Sequence, residues 1–183
     1  MAIRTVLHGN EPVLRQKARK VRDFGASLQA LIDDMVETMH AAPGIGLAAP
    51  QIGVPLRVAV IELPKVEQEQ AGQDEDPYRG RLIVICNPKV VKSWGEEEGQ
   101  EGCLSLPEYV GDVKRAARVV VKARNRRGKE IRLRAEGLMA RVLQHEIDHL
   151  EGNLFVDRVE SLEQLYHLEP SEEDTGEEKE IVI

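Results

Sequence analysis

Apolar residues at helical spacing predict a first helix near residue 27. In "SLQALIDDMVETMHAA" they recur every three or four positions and form one apolar face. That face consists of Leu28, Leu31, Ile32, Met35, Val36 and Met39. Ser27 is the predicted N-cap, and Pro43 with Gly44 ends the helix. We interpret the following stretch, "PGIGLAAPQIG", as a loop whose glycines and prolines shape the main chain around something it contacts.

A second helical segment changes from apolar residues to histidines without leaving its face. It is predicted to begin near Glu136 or Gly137 and to end at Gly152, because glycine is favoured just beyond a helix C-terminus. Its inner face consists of Leu138, Val142, His145 and His149, at i, i+4, i+7 and i+11. Both histidines are therefore predicted to point inward.

Segments rich in Val and Ile predict strands at 56–63, 81–88, 90–94, 118–125 and 130–136. The last two flank "RRG", a predicted hairpin turn. The polar stretch 64–80 is interpreted as an exposed excursion within one domain. Helices among antiparallel strands predict an α+β fold in which the sheets pack around the second helix and the first helix is an additional N-terminal element.

Length and charge limit the other possibilities. The 183 residues fit one domain, predicted over 1–168, with an acidic tail over 169–183. The net charge of −7 argues against a broad nucleic-acid surface, although residues 115–134 are basic. No apolar run approaches the ~18 residues of a membrane span, and the N-terminus lacks a secretory signal. We therefore expect a cytoplasmic protein with no membrane partner.

The sequence "HEIDH" has the spacing of a metal-binding helix. His145 and His149 are neighbours on the helix surface, so their ring nitrogens can meet at one ion. Glu146 is rotated by about 100° from His145 and can contact a water on that ion, as the general base of HExxH enzymes does. The alternative is a helix whose histidines are hydrogen-bonded and whose glutamate is solvated.

The candidates for a third ligand are a carboxylate or one of Cys86, Cys103, His8, His40 and His167. Cys86 lies in the apolar run "LIVICNP" and is interpreted as a core residue. Cys103 lies in the turn-rich "GQEGCLSLPEY", where a thiol can reach a neighbouring helix and lose its proton to a metal. We therefore predict Cys103 as the third ligand.

Three separated stretches carry a resemblance to one family. "GIGLAAPQ" (44–51), "EGCLS" (101–105) and "QHEIDHLEG" (144–152) occur in this order, and together they resemble the signature stretches of peptide deformylase. The resemblance extends from the first helix to about residue 158. It implies hydrolysis of the N-formyl group from the N-terminal formylmethionine of nascent polypeptides, with release of formate, and transient proximity to the ribosome.

The resemblance also implies roles for individual residues. Cys103, His145 and His149 would hold one divalent metal, Fe²⁺ in most members, with Zn²⁺, Ni²⁺ and Co²⁺ as alternatives. A water or hydroxide would take the fourth position, and Glu146 would transfer its proton to the leaving nitrogen. The Gln51 amide and the Leu104 backbone N–H would stabilise the oxyanion.

Substrate contacts are predicted for Gly44, Ile45, Gly46, Glu101, Gly102, Leu138 and Val142. The two loop glycines are expected to permit close backbone approach and positive φ. Ile45, Leu138 and Val142 are expected to line a pocket for the methionine side chain. Glu101 is also expected to pair with Arg115.

The chain departs from the family pattern in two places. Val110 stands where many members carry an arginine that contacts the peptide main chain. The acidic C-terminal segment differs from the basic helix through which some bacterial members dock on the ribosome, so that mode of docking is not expected here.

Two other functions fit part of the pattern. A zincin-type peptidase also uses HExxH but takes its third ligand from a downstream His or Glu, so it would not need Cys103. A structural metal-binding module would use four protein ligands and leave no solvent on the ion.

Overall fold

The computed structural model describes residues 2–65 and 76–168, and within them the chain forms two α-helices, four short 3-10 helices and eight strands. The α-helices are α1 (Ala26–Ala41) and α2 (Gly137–Glu151). The strands are β1 (Gly46–Ala48), β2 (Val58–Glu62), β3 (Leu82–Trp94), β4 (Glu97–Gly102), β5 (Tyr109–Arg115), β6 (Arg118–Arg124), β7 (Glu130–Glu136) and β8 (Leu165–His167). The predicted α+β class is confirmed.

The strands form two antiparallel sheets. The larger has the order β1-β2-β3-β6-β7, and the smaller has the order β4-β5-β8. β6 and β7 are joined by the predicted hairpin turn, in which Gly128 has φ +77°. A residue at that angle is tolerated best when it is glycine.

The larger sheet is covered on both faces along β2. Ala59 and Ile61 pack into the apolar cluster that contains the inner face of α2. Val58 and Val60 pack into a second cluster that contains the apolar face of α1. Successive strand residues point to opposite faces, so a strand buried on both sides has an unbroken apolar sequence. This explains the run "VAVI" and places α2 and α1 on opposite sides of the sheet.

Several predicted elements need correction. The strands predicted at 81–88 and 90–94 are one strand, β3, whose register shifts between Cys86 and Lys89 and again between Val90 and Lys92. The predicted break is therefore a pair of β-bulges. The loop predicted after α1 contains β1, because Gly46–Ala48 pairs with β2. The N-cap of α1 is Gly25, so the prediction of Ser27 was wrong.

The smaller sheet was not predicted. β4 has the sequence "EEGQEG", which carries no apolar alternation. Every residue of β4 nevertheless pairs with a residue of β5. Their pairing depends on contacts between segments and not on local β propensity. The bounds of α2 agree with the prediction, and Gly152 ends the helix with φ +84°.

Some predictions fall partly or wholly outside the described residues. These are most of the polar excursion, whose residues 66–75 are not described, and the acidic tail at 169–183. None of the helices in the described ranges combines the length and apolar character needed to cross a bilayer.

Candidate metal centre and active site

Helix α2 places both histidines in the interior. Met139, Val142 and Leu143 are fully buried against the larger sheet, and this fixes the rotation of the helix about its axis. His145 and His149 continue that buried face, and each is 1% exposed. Their Nε2 atoms lie 3.1 Å apart. Packing of the apolar stripe therefore brings two imidazole nitrogens to one point.

Cys103 reaches the same point from the smaller sheet. It directly follows β4, and its carbonyl accepts a hydrogen bond from the Leu106 N–H at 2.8 Å, which closes a turn. Its Sγ lies 3.2 Å from His149 Nε2 and accepts a hydrogen bond from the Ser105 N–H at 3.4 Å. The three candidate ligand atoms of Cys103, His145 and His149 all lie within 4.8 Å of one another.

This donor set fits a divalent cation. One sulfur and two imidazole nitrogens bind such ions at about 2.0–2.3 Å, which requires donor separations close to those observed. Burial raises the pKa of the Cys103 thiol to about 12, and a cation beside the sulfur would reverse that effect by favouring the thiolate. Burial, followed by the proximity of His145, holds the pKa of His149 well below its ordinary value, so its ring is neutral and able to donate a lone pair.

Glu146 is the buried carboxyl group beside these donors. It is fully buried, and neither of its carboxylate oxygens has a hydrogen-bond partner within residues 2–65 and 76–168. Burial, with a smaller contribution from the charge of Glu101, raises the pKa of Glu146 well above its usual range. A raised carboxyl pKa suits a group that accepts and returns a proton near neutral pH.

The two loop glycines make room for neighbouring side chains of the site. A Cβ on Gly46 would lie 2.3 Å from Glu146 Oε1, and a Cβ on Gly44 would lie 2.7 Å from Leu104 Cδ1. Neither glycine has a positive φ, so that part of the prediction was wrong. The missing side chains give room to Glu146 and to the segment after Cys103.

Gln51 links the glycine segment to Cys103. Its Oε1 accepts a hydrogen bond from the Ala48 N–H at 2.8 Å, which fixes the orientation of the amide. Its Nε2 then points toward Cys103 Sγ at 3.6 Å and Ser105 Oγ at 3.3 Å. The predicted amide donor therefore faces the candidate ligands.

Glu101 orients His145 through a buried ion-pair network. Its Oε2 lies 2.9 Å from His145 Nδ1. The Arg115 guanidinium donates one hydrogen bond to each carboxylate oxygen of Glu101, at 2.8 Å to Oε1 and 2.9 Å to Oε2. The predicted pair with Arg115 is confirmed, and it is buried. Burial alone raises the pKa of Glu101, but hydrogen bonds from Arg115 and His145 outweigh it and hold this pKa below its ordinary value.

Sequence analysis missed two members of this network. Arg141 donates to Glu101 at 2.9 Å from the second turn of α2, and Asp148 accepts from Arg115 at 2.5 Å. Asp148 also binds Arg158 at 2.7 Å. A charged residue within a buried helix face is the signal that could have identified Arg141, since a buried arginine requires a carboxylate partner.

We expect Glu101→Gln to weaken metal affinity by about 10–100-fold, the usual effect of removing a carboxylate that orients a histidine ligand. It should also lower the melting temperature of the metal-free protein, because Arg115 and Arg141 would remain buried without their shared carboxylate. Metal titration and thermal unfolding measure the two effects. Glu163→Gln, on an exposed residue, is the matched control, and equal metal affinity in the two variants would contradict the assignment.

The predicted pocket residues belong to one apolar region. Ile45 and Val142 are buried in the cluster beneath α2, and Leu138 packs against it while partly exposed. Gly102 pairs with Val110 at the end of the smaller sheet. Gly44 and Ile45 also line an adjoining cavity of about 370 Å³, together with His40, Glu62 and Lys65.

The other candidate ligands lie elsewhere. Cys86 is fully buried in β3 among the residues beneath α1, which confirms its interpretation as a core residue. His40 is exposed and lies 2.9 Å from Glu62. His167 is exposed in β8, where its ring contacts Tyr109. Among the described residues, the only cluster of three His, Cys, Asp or Glu donors suited to an ion is that of Cys103, His145 and His149.

Comparison with known proteins identifies the family. The family model described as polypeptide deformylase matches residues 3–165, which is most of the chain. The chain belongs to the peptide deformylase family. It is 45% identical to the peptide deformylase of Thermomicrobium roseum over 97% of each chain, and 49% identical to that of Syntrophobacter fumaroxidans over 87% of this chain and 88% of the relative. The enzyme is thus a metal-dependent hydrolase that removes the formyl group from N-terminal formylmethionine.

A solved structure agrees with this assignment. The crystal structure of a peptide deformylase from Legionella pneumophila superposes with a TM-score of 0.76 at 47% identity, covering 89% of each chain. A peptide deformylase from Synechococcus elongatus, 40% identical, superposes with the same score. Family membership excludes the two alternative functions, the zincin-type peptidase and the structural metal module.

Proposed function

We propose that Cys103, His145 and His149 hold the catalytic metal of this deformylase and that Glu146 is its general base. The observation that supports this most strongly is the convergence of three buried donor atoms within 4.8 Å, two from α2 and one from the residue after β4, beside a buried carboxyl group. Three protein ligands leave a coordination position for solvent or substrate, as catalytic sites require. Fe²⁺ is the proposed physiological ion, although thiolate and imidazole donors also accept Zn²⁺, Ni²⁺ and Co²⁺.

The residues around the centre have different roles in amide hydrolysis. A cation held by Cys103, His145 and His149 would supply Lewis-acid activation of the attacking water and of the formyl carbonyl. Glu146 takes the proton from that water on a carboxylate oxygen and then gives it to the leaving nitrogen, so that formate and a free amine result. The Gln51 Nε2 and the Leu104 backbone N–H donate to the oxygen on which negative charge develops, and one such donor is worth roughly 10²–10³ in rate.

The remaining site residues hold this arrangement and the substrate. Glu101 is proposed as a positioning residue for His145, because its carboxylate is 1% exposed and already binds two arginines. This replaces its predicted role as a substrate contact. Ile45, Leu138 and Val142 are proposed to contact the methionine side chain. Gly44, Gly46 and Gly102 give the peptide backbone access to the centre.

The cellular context follows from the substrate. Formylated N-termini exist on newly made chains, so we propose that the enzyme is cytoplasmic and works in transient proximity to the ribosome. One catalytic domain is proposed over residues 1–168, with residues 169–183 as an acidic tail.

A direct test combines metal analysis with an activity assay. The protein is prepared under anaerobic conditions with Fe²⁺, Zn²⁺, Ni²⁺ or Co²⁺, and formate release from a formyl-Met-Ala-Ser peptide is measured for each form. One equivalent of metal and metal-dependent formate release are expected. Full activity after complete removal of metal by a chelator would overturn the proposal.

The Fe²⁺ form is expected to lose activity in air or dilute peroxide, and the Ni²⁺ form should lose it more slowly. Ferrous iron and a thiolate ligand are both oxidisable, and the Ni²⁺ form removes the first of these sensitivities. Activity is followed over time in air and under argon. An iron form with indefinite aerobic stability would contradict the proposed ion.

A further inference from the structure

We infer that the outer face of β3, β6 and β7 binds the phosphate backbone of folded RNA. This surface is defined by Lys89, Lys122, Arg124 and Arg132 and is called here the cationic sheet face. It lies on the opposite side of the larger sheet from α2 and the metal centre. The inference rests on the proposed function in one respect. The substrate of that function is made on the ribosome, and this gives the enzyme a reason to meet RNA.

The cationic sheet face exists because α1 covers only part of the larger sheet. The cluster under α1 draws its sheet residues from β1, β2 and the first part of β3, such as Val60 and Val84. On β6 and β7, Val121, Ala123 and Leu133 point toward α2. The residues between them point the other way, and Lys122, Arg124 and Arg132 are all exposed there.

Three cations form one row across this face, at directly paired positions of neighbouring strands. Lys89 pairs with Lys122 in the β3–β6 register, and Lys122 pairs with Arg132 in the β6–β7 register. None of the three has an ion-pair partner within the described ranges. Like charges at directly opposed positions destabilise a sheet, so this row has an unfavourable effect on folding that a bound polyanion would reverse.

The cationic sheet face adjoins two cavities at the edge of the three strands. Two adjoining cavities of about 340 and 920 Å³ share Lys89 and Arg124 in their walls, and Lys20 and Arg22 line the larger one. Together they are lined by eight Lys or Arg side chains and two carboxylates. The positive charge is therefore local in a chain whose net charge is −7, and the expectation drawn from that net charge does not apply to this surface.

Both carboxylates are already engaged. Glu151 lies 2.5 Å from Lys17 and 2.6 Å from Arg57, and Glu130 lies 3.8 Å from Arg124. The remaining cations are available to a partner. Lys20, Arg22, Lys89, Lys122 and Arg132 are exposed and lack acidic partners among the described residues.

The rim of the surface is held in place by the bulge of β3. Asn87, at the bulge, has φ +53°, and its side chain accepts from the Val21 N–H at 2.8 Å and donates to the Val21 carbonyl at 2.9 Å. These bonds fix the segment that carries Lys20 and Arg22 beside Lys89. The cations are thus preorganised on backbone that is anchored, which lowers the entropic penalty of binding.

Charge without exposed apolar groups favours RNA over a lipid surface. Membrane-surface binding usually combines basic residues with large apolar side chains that enter the bilayer. None of the large exposed apolar residues of the described ranges, such as Trp94 and Leu162, lines either cavity. Lys and Arg at several positions on a fixed surface suit sequence-independent contact with phosphates.

The test compares two triple variants with equal loss of charge. The first is Lys89→Ala/Lys122→Ala/Arg132→Ala, on the cationic sheet face. The control is Arg81→Ala/Lys114→Ala/Arg127→Ala, at positions outside both cavities. Binding to a fluorescent 24-base-pair RNA duplex is measured by anisotropy across a series of KCl concentrations, and binding to purified bacterial large ribosomal subunits is measured by sedimentation.

We expect the face variant to bind the duplex at least about tenfold more weakly than the wild type at low salt, with a log–log salt slope shallower by about 2–3, because each lost phosphate contact contributes roughly 0.7–0.9. The control should stay within about threefold of the wild type. The charge-preserving variant Lys89→Arg/Lys122→Arg/Arg132→Lys should bind like the wild type. Subunit binding should follow the same order.

Three results would overturn the inference: no binding of RNA by the wild type, equal weakening in both triple variants, or face-dependent binding to phosphatidylserine vesicles as strong as binding to RNA. Formate release from the short formyl peptide is measured in parallel and should be unchanged in both triple variants, since no substituted residue lies at the metal centre. A wild type that releases formate but ignores RNA would refute this inference alone. A wild type without formate release would refute the proposed function alone.

Discussion

Glu146→Gln is expected to lower kcat for a formyl-methionyl peptide by about 10²–10⁴-fold, the range for loss of a general base. The bound metal should remain at one equivalent, because the proposed ligands are Cys103, His145 and His149. Glutamine has nearly the same shape as glutamic acid and is neutral. Burial raises the pKa of Glu146, so its site already favours the uncharged form of the side chain.

Steady-state kinetics and metal analysis of the same sample measure the two quantities. The control is Glu163→Gln, which removes one exposed carboxylate and should keep full activity. A variant that loses its metal together with its activity would show that Glu146 is required for binding the ion. A variant with wild-type kcat would remove Glu146 from the mechanism.

Cys103→Ala is expected to weaken metal binding by more than about 100-fold, because even the loss of a residue that only orients a ligand costs 10–100-fold. Activity should fall in parallel at limiting metal. The chain contains its own matched control in Cys86→Ala, since both cysteines are free and fully buried. Cys86 lies in the cluster under α1, where burial raises its thiol pKa to about 11, and it contributes to packing only.

Metal titration of the two cysteine variants, with thermal unfolding of both, separates ligation from packing. Cys86→Ala should bind the ion as tightly as the wild type and lose some stability through the small cavity that it leaves. Retention of tight metal binding by Cys103→Ala would exclude the sulfur as a ligand and with it the proposed centre. Equal loss of metal in both variants would indicate a general loss of structure.

Periodic features were predicted correctly because their signals are local. The face of α2 is visible as residues repeating every three or four positions, and both its bounds and its burial agree with the structure. Cys86 was assigned to the core because an apolar run surrounds it. The smaller sheet was missed because β4 is charged and rich in glycine, so nothing in its own sequence distinguishes it from a loop.

The network behind the centre could be predicted only in part. The pair between Glu101 and Arg115 followed from the family resemblance, but Arg141 and Asp148 join it from α2 through contacts across the fold. The positive φ predicted for Gly46 was wrong. Its lack of a side chain serves the close approach of Glu146, a contact between residues 100 positions apart.

The sequence by itself determined which residues are able to do the chemistry: two histidines one helical turn apart, a glutamate beside them, and a cysteine in a turn-rich segment. Ligand type and helical spacing are local properties, so they are encoded over short stretches. Only the tertiary structure decided that the Cys103 sulfur meets His149 Nε2 at 3.2 Å and that the basic residues of three strands share one uncovered face. Both depend on strand pairing and on how far α1 extends over the sheet, and these follow from packing between segments distant in the chain.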